Sequence, residues 1–381
     1  MMYTVFSTTN SAKMQWQSQL LEYSWKKAQQ EGVLIRLVAT DEPHNLPQHQ
    51  YAQSIATKSW DVHPDTGDHY PIYNKPASLL EWLYREEPDG TVLFIDPDCV
   101  FRRPVNTRVA PGHPVSQSWI DLNLAEPSVT HPFGLPEGFE FLNEHCANVH
   151  KSITPAMIPT LIHTRDLKRI CPRWLELCSI IRGNYRDVHG NPAWETDMYA
   201  YFVACAEYEL EHETAPLGII TDWQPETVPD APIVHYCQPV SGKDGTILFN
   251  KHEYEAWSPV DLSAQAQQPH SADLMALIGE YLVASGAMEL PVSQDSRPKW
   301  ADGVMEGRLL DQLLLEKPQT GAKIWLNESG LAIWELCDGK RLFKEILREL
   351  SALFEVSPAV LEADVTATVR DLAKQGFLTL S

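Results

Sequence analysis

The sequence predicts an α/β protein whose main sheet is largely parallel, followed by a small α+β domain. Three observations carry this. Apolar strand-like runs alternate with amphipathic helical ones over the first hundred residues. One such run, VLFIDPDCVF at 92–101, ends in two carboxylates. After residue 300 the texture changes to a hairpin pattern followed by three helical stretches.

Residues 3–8, YTVFST, read as a first strand. Met14, Trp16, Leu20, Leu21 and Trp25 then recur at helical spacing before a stop at Glu31-Gly32. VLIRLVAT at 33–40 is a second strand. NKPASLLEWLY at 74–84 starts a helix around Pro76, and the carboxylate-tipped strand follows. Strand, helix, strand, helix, strand is the order of a parallel sheet with crossover helices. Residues 104–160 are rich in Pro, His and Asn and read as irregular, loop-built chain. Helices are predicted over 165–182 and 194–205, and a short buried strand at 232–239 ends near His235.

A boundary is expected between Trp257 and Trp300. The division is 1–257, a linker with one helix over 258–299, and 300–381. In the last segment GRLLDQLLLEKPQTGAKIWLN predicts a hairpin turning around Pro318 to Gly321, with helices over 329–337, 341–353 and 358–375.

Asp96 and Asp98 stand at a strand end, stiffened by Pro97 and flanked on both sides by apolar chain. Buried charge of this kind is costly unless paired or bound to a cation. Two carboxylates at this spacing suit Mn²⁺ or Mg²⁺ carrying a diphosphate, the way a GT-A-type glycosyltransferase grips a sugar nucleotide. The competing reading is a solvated acidic turn. Asp98 is the direct ligand in this scheme, and Asp96 meets the ribose or reaches the metal through water. His235 is a third candidate ligand, or else a hydrogen-bonded core histidine. Ligands in such sheets bind beyond the carboxyl ends of the strands, where Thr8 also lies. Lys75, at a helix start, is a candidate phosphate ligand or a surface lysine. Trp194, Glu195 and Asp197 open the later helix. One of the two acids faces the reacting sugar, or both serve as helix-capping acids.

The net charge of −21 argues against nucleic acid and anionic membrane as partners. No run approaches a membrane-spanning length and no secretory signal is visible, so a cytoplasmic location is expected. The seven cysteines are scattered, odd in number and form no C-x-x-C pair, which fits a reducing compartment.

Six blocks resemble the plant hydroxyproline O-arabinosyltransferases and the related peptidyl serine α-galactosyltransferases. They are MQWQSQLLEYSWKK, YPIYNKPASLLEWL, VLFIDPDCVFRRPV, IPTLIHTRDLKRICPRW, NPAWETDMYAYFVACA and IVHYCQP, in the family's order. The resemblance implies a GT-A-type (Rossmann-like) fold, a divalent cation, a UDP-sugar donor, a peptide hydroxyl acceptor and retention of anomeric configuration. It puts Asn74-Lys75-Pro76 at the family's "NRP" and Trp194 to Tyr199 at its "W-x-x-E-M-Y", with Asp197 where the family has Glu. Donor-binding candidates are therefore Thr8, Asn74, Lys75, Asp96 and Trp194. Catalytic candidates are Asp197 and then Glu195, and metal candidates are Asp96, Asp98 and His235. The plant enzymes are membrane-anchored, and this chain shows no anchor.

The tail resembles PqqD-type peptide-recognition domains through KIWLNESG and the LCDG run, Leu336 to Gly339. That resemblance implies a winged-helix-like shape that takes a leader peptide as an added strand at a sheet edge, with Ile324, Trp325 and Leu326 as peptide-binding candidates. The combined expectation is a bacterial, cytoplasmic glycosyltransferase acting on Ser, Thr or hydroxyproline of a ribosomal precursor peptide. Two alternatives stand beside it: a noncatalytic peptide-binding adaptor, and a polysaccharide or lipid glycosyltransferase with a regulatory winged-helix domain.

Overall fold

The structure is a computed structural model that describes residues 1–118, 156–184, 191–192, 196–221, 230–253, 266–286, 292–309 and 312–380. The chain divides into two compact units, Met1–Ile278 and Gly279–Ser381.

In the first unit β1 (Met2–Thr9), α1 (Ala12–Lys27), β2 (Val33–Ala39), β3 (Gln53–Thr57), α2 (Asn74–Arg85) and β4 (Thr91–Phe94) form two strand–helix–strand crossovers. Strands β3, β2, β1 and β4 lie side by side in parallel. Their buried faces explain the nearly continuous apolar runs of β1, β2 and β4. Helix α1 starts where the Ser11 hydroxyl accepts the Met14 N–H at 3.3 Å. Trp16, Leu20 and Leu21 of α1 and Leu79, Trp82 and Leu83 of α2 are buried. Gly32, at φ +99°, turns the chain into β2 where a Cβ would stand 2.2 Å from the Met2 carbonyl oxygen.

β5 (Cys99–Phe101) leaves the main sheet directly after the carboxylates. β6 (Val115–Ser118), β7 (Ala156–His163) and β8 (Glu213–Thr214) complete the main sheet in the order β3-β2-β1-β4-β7-β6-β8. β7 runs antiparallel to both β4 and β6. The expectation of irregular chain over 104–160 therefore fails at its described ends, which hold β6 and the start of β7. Pro159 inside β7 and a register shift at Ser116/Gln117 hide the alternation from a local reading. β3 was likewise not read as a strand.

The helices predicted over 165–182 and 194–205 are α3 (Thr164–Asn184) and α4 (Thr196–Glu207). A second sheet, in the order β5-β10-β9, is made with β9 (Gly218–Ile220) and β10 (Ile233–His235). A hairpin of β11 (Val240–Ser241) and β12 (Ile247–Phe249) follows, and then α5 (Pro269–Ala284), the helix expected in the linker.

The second unit contains β13 (Pro298–Trp300), β14 (Met305–Leu309), β15 (Gln312–Lys317), β16 (Ala322–Leu326), α6 (Glu328–Leu336), α7 (Phe343–Ser351), α8 (Pro358–Lys374) and β17 (Leu378–Leu380). The predicted hairpin is β15–β16, with β14 added on the far side of β15. Asn327 caps α6 by accepting the Gly330 N–H at 2.9 Å. Gly339 of the LCDG run sits at φ +77°, where a Cβ would lie 2.8 Å from Lys299 Cγ. Leu313, Leu315, Trp334, Phe343, Ile346, Val365, Val369 and Phe377 form the core.

Candidate active site

The carboxylates sit where β4 hands over to β5. Antiparallel pairing of β5 with β10 sets Cys99 opposite His235, and the Tyr236 N–H donates to the Asp98 carbonyl at 3.0 Å. This register carries the His235 ring to the acid pair. Its Nε2 lies 3.2 Å from Asp98 Oδ1 and 3.9 Å from Asp96 Oδ2. His235 Nδ1 is buried without a hydrogen-bond partner among the described residues.

Asp98 is 4% exposed. Burial is the largest influence on its carboxyl and acts upward. The Lys251 ammonium, which ion-pairs with Oδ2, and then His235 together outweigh it and hold the group well below the usual carboxylate range. Asp96 is taken by Lys75, whose Nζ lies 2.9 Å from Oδ1. The same ammonium lies 3.0 Å from Asp197 Oδ2. Burial alone would depress Lys75, but the charges of Asp197 and Asp96 raise it overall.

Asp197 belongs to the first turn of α4, and its side chain goes to tertiary partners. Tyr70 donates to Oδ1 at 3.2 Å, and the Asp197 N–H reaches the Tyr70 hydroxyl at 3.3 Å. Burial, and then the Asp197 charge, raises Tyr70, so it stays a neutral donor. Trp174 Nε1–H donates to the Asp197 carbonyl at 2.8 Å. Phe94, Ile158, Thr160, Trp174, Asp197, Met198 and Tyr201 line a small, mostly apolar recess.

Asp96, Asp98, His235, Lys75 and Asp197 thus converge. Thr8 lies at the end of β1, buried, with its hydroxyl donating to the Thr9 carbonyl at 3.1 Å. Asn74 has its amide committed within the fold: Nδ2 donates to Asp61 Oδ1 at 2.7 Å and to the Pro71 carbonyl at 2.8 Å, while Oδ1 accepts the Trp60 N–H at 2.7 Å. Trp194 and Glu195 lie outside the described residues. Lys251 was missed by the sequence reading. It follows β12 in a turn with no motif, 153 residues from its partner, so nothing local marks it.

In the second unit the candidate strand β16 alternates. Trp325 is half exposed, Ile324 partly covered and Leu326 buried in the core. β16 is an outer strand of its sheet, paired on one side with β15.

Against known proteins, the profile described as "Hydroxyproline O-arabinosyltransferase family N-terminal domain" matches residues 2–214, more than half of the chain. The chain belongs to the hydroxyproline O-arabinosyltransferase family. The profile of coenzyme PQQ synthesis protein D (PqqD) matches residues 313–378, so this family member also carries a PqqD domain. The peptidyl serine alpha-galactosyltransferase of Arabidopsis thaliana is 28% identical, over 68% of this chain and 32% of its own length. The hydroxyproline O-arabinosyltransferase of Pisum sativum is 24% identical, over 55% of this chain and 61% of its own. The chain thus spans about a third of the first of these relatives and about three fifths of the second. A PqqA binding protein of Xanthomonas axonopodis pv. citri is 32% identical over 23% of this chain and 97% of that protein. The solved structure of TbiB1 in complex with the TbiA(beta) leader peptide is 29% identical and covers 21% of this chain and 93% of that one, with a TM-score of 0.20.

Two carboxylates and one imidazole nitrogen are ligands that Mn²⁺ accepts, and the Asp oxygens suit Mg²⁺. Atoms of Asp98, Cys99 and His235 lie within 4.8 Å of one another. Burial, with Asp98 and Asp96 next, keeps the Cys99 thiol protonated, so oxygen and imidazole are the ligands on offer. The residues fit a hard or borderline divalent ion. No described helix is long and apolar enough to cross a membrane.

Proposed function

We propose that this protein is a metal-dependent glycosyltransferase that moves a sugar from a UDP-sugar to a hydroxyl of a ribosomally made precursor peptide, whose leader is held by the C-terminal PqqD domain. The first unit is then a GT-A-type fold and the second a winged-helix-like one. The observation that carries the reading is the meeting of Asp96, Asp98 and His235 at a sheet end, in a chain of the hydroxyproline O-arabinosyltransferase family.

Asp98, His235 and Asp96 would hold Mn²⁺ or Mg²⁺, which supplies charge to stabilise a departing diphosphate. Asp197, oriented by Tyr70 and Lys75, is the carboxylate that would accept a proton from the acceptor hydroxyl or stabilise positive charge on the sugar ring. Lys75 separates the Asp96 and Asp197 charges and fixes both. Tethering of the leader raises the core's local concentration at the site, so weak contacts with the acceptor suffice. A cytoplasmic, bacterial setting fits a PqqD-type partner.

The experiment is incubation of the full chain with Mn²⁺, a panel of UDP-sugars and any short peptides encoded in the reading frames that flank its gene, read by mass spectrometry. A hexose or pentose mass increment is expected. Tight peptide binding with no increment from any UDP-sugar would replace this reading with a peptide-binding adaptor.

A further inference from the structure

The Asp98 end of the site differs in charge from the Asp197 end. At the latter, one ammonium, Lys75, serves two carboxylates. At the former, a single buried carboxylate faces an excess of bases. Lys251 ion-pairs with Asp98 Oδ2, and His235 stands on Oδ1. Lys13 lies close behind, its Nζ 3.3 Å from His252 Nδ1. His252 is the chain neighbour of Lys251, so Lys13 stands at the same turn; burial, and next the charge of Lys251, depresses it.

Lys13 also sits in the first turn of α1, a turn that holds no acid. A cation there opposes the positive end of the helix, an arrangement that costs stability unless an anion is shared. Lys13 and Lys251 are thus two crowded cations beside a helix N-terminus, and Lys251 retains some solvent access along its side chain. Lys251 also contacts the carboxylate edge that a divalent ion would need.

We propose that Lys251 is an exchangeable counter-ion: it neutralises Asp98 until a divalent cation takes that oxygen, and its ammonium then joins Lys13 on the donor's diphosphate. This inference rests on the metal-dependent reading above and adds residues and an order of events to it. Cation and diphosphate enter as a pair because each alone is disfavoured. The ion alone must displace Lys251 with no new partner for the ammonium. The diphosphate alone finds Lys251 engaged. Binding at the two subsites is therefore coupled, and the coupling is reciprocal.

The test is calorimetry on the full chain with Mn²⁺ alone, UDP alone and UDP in the presence of Mn²⁺. In the wild type, UDP should tighten Mn²⁺ binding by about tenfold or more, within the usual range for coupled sites. Lys251→Met should bind Mn²⁺ alone several-fold more tightly than wild type, and most of the tightening by UDP should vanish. Lys13→Met should leave Mn²⁺ alone unchanged and weaken UDP binding in the presence of Mn²⁺. Lys251→Gln serves where the Met variant does not fold. Unchanged or weaker Mn²⁺ affinity in the Lys251 variants, with wild type still binding Mn²⁺ and UDP together, overturns this inference and leaves the metal site standing. Mn²⁺ bound by no form of the protein, with or without UDP, overturns the metal-dependent reading itself.

Discussion

Lys75 and Asp197, 122 residues apart in sequence, meet at 3.0 Å, and the same ammonium grips Asp96. The α2 start and the first turn of α4 are therefore fastened through one side chain. Lys75→Met leaves two poorly hydrated carboxylates without their shared cation and is expected to cost about 3 kcal/mol in urea unfolding. Lys75→Met combined with Asp197→Asn should recover part of that loss. Full additivity in the double variant would contradict the coupling.

His212 is a second buried group with a consequence for pH. Its Nε2 lies 3.3 Å from the Tyr201 hydroxyl and its Nδ1 has no partner among the described residues. Burial pushes its pKa down to about 4 from 6.5. The folded state thus binds this proton less readily than the unfolded chain. The stability it confers is complete above pH 6.5 and is lost as pH falls toward 4, by up to about 3 kcal/mol. Thermal unfolding from pH 7.5 to 4.5 should show a shallower decline in His212→Gln than in wild type. Parallel curves would contradict this.

Arg36, in the middle of β2, is fully buried, and its three guanidinium nitrogens have no hydrogen-bond partner among the described residues. Burial lowers its pKa to about 10, against the opposing pull of Glu22. Glu22 is itself occupied by the His49 ring at 3.0 Å and by the N–H groups of Tyr51 and Ala52. An unpaired buried cation is a net cost, so Arg36→Met should leave stability unchanged or raise it by about 1 kcal/mol. A clear loss on urea unfolding would mean that the guanidinium has a partner in solution.

On β16 the alternation separates an exposed side chain, Trp325, from a packed one, Leu326. Trp325→Ala should weaken binding of the precursor peptide proposed above with little change in melting temperature, because the ring is half exposed. Leu326→Ala should instead cost about 2–3 kcal/mol of stability, because that side chain lies in the core. Equal effects of the two on binding, at equal stability, would contradict the division.

What the sequence disclosed follows from the range of the forces involved. The strand–helix alternation up to Asp98 is local and periodic, and β1, α1, β2, α2 and β4 match it closely. The helices of the second unit were legible for the same reason. The run ending in Asp96 and Asp98 stood out because charge interrupts apolar chain. Lys251 stood out in no way, since its meaning comes from a fold that returns it to Asp98. Lys75 was read as a phosphate ligand or a surface lysine; its ammonium lies between two carboxylates, Asp96 and Asp197, a pairing that helix position alone does not announce. β6 and β7 depend on pairing across long sequence separations and are broken by Pro159 and a bulge, so periodicity could not announce them.

The most direct measurement is UDP release from UDP-sugars by the full chain, with and without Mn²⁺. The account predicts release that is abolished by EDTA, restored by excess Mn²⁺ and lost in Asp98→Ala at an otherwise folded state. Equal release in EDTA, or full activity of Asp98→Ala, would contradict the assignment of Asp96, Asp98 and His235 as the cation site.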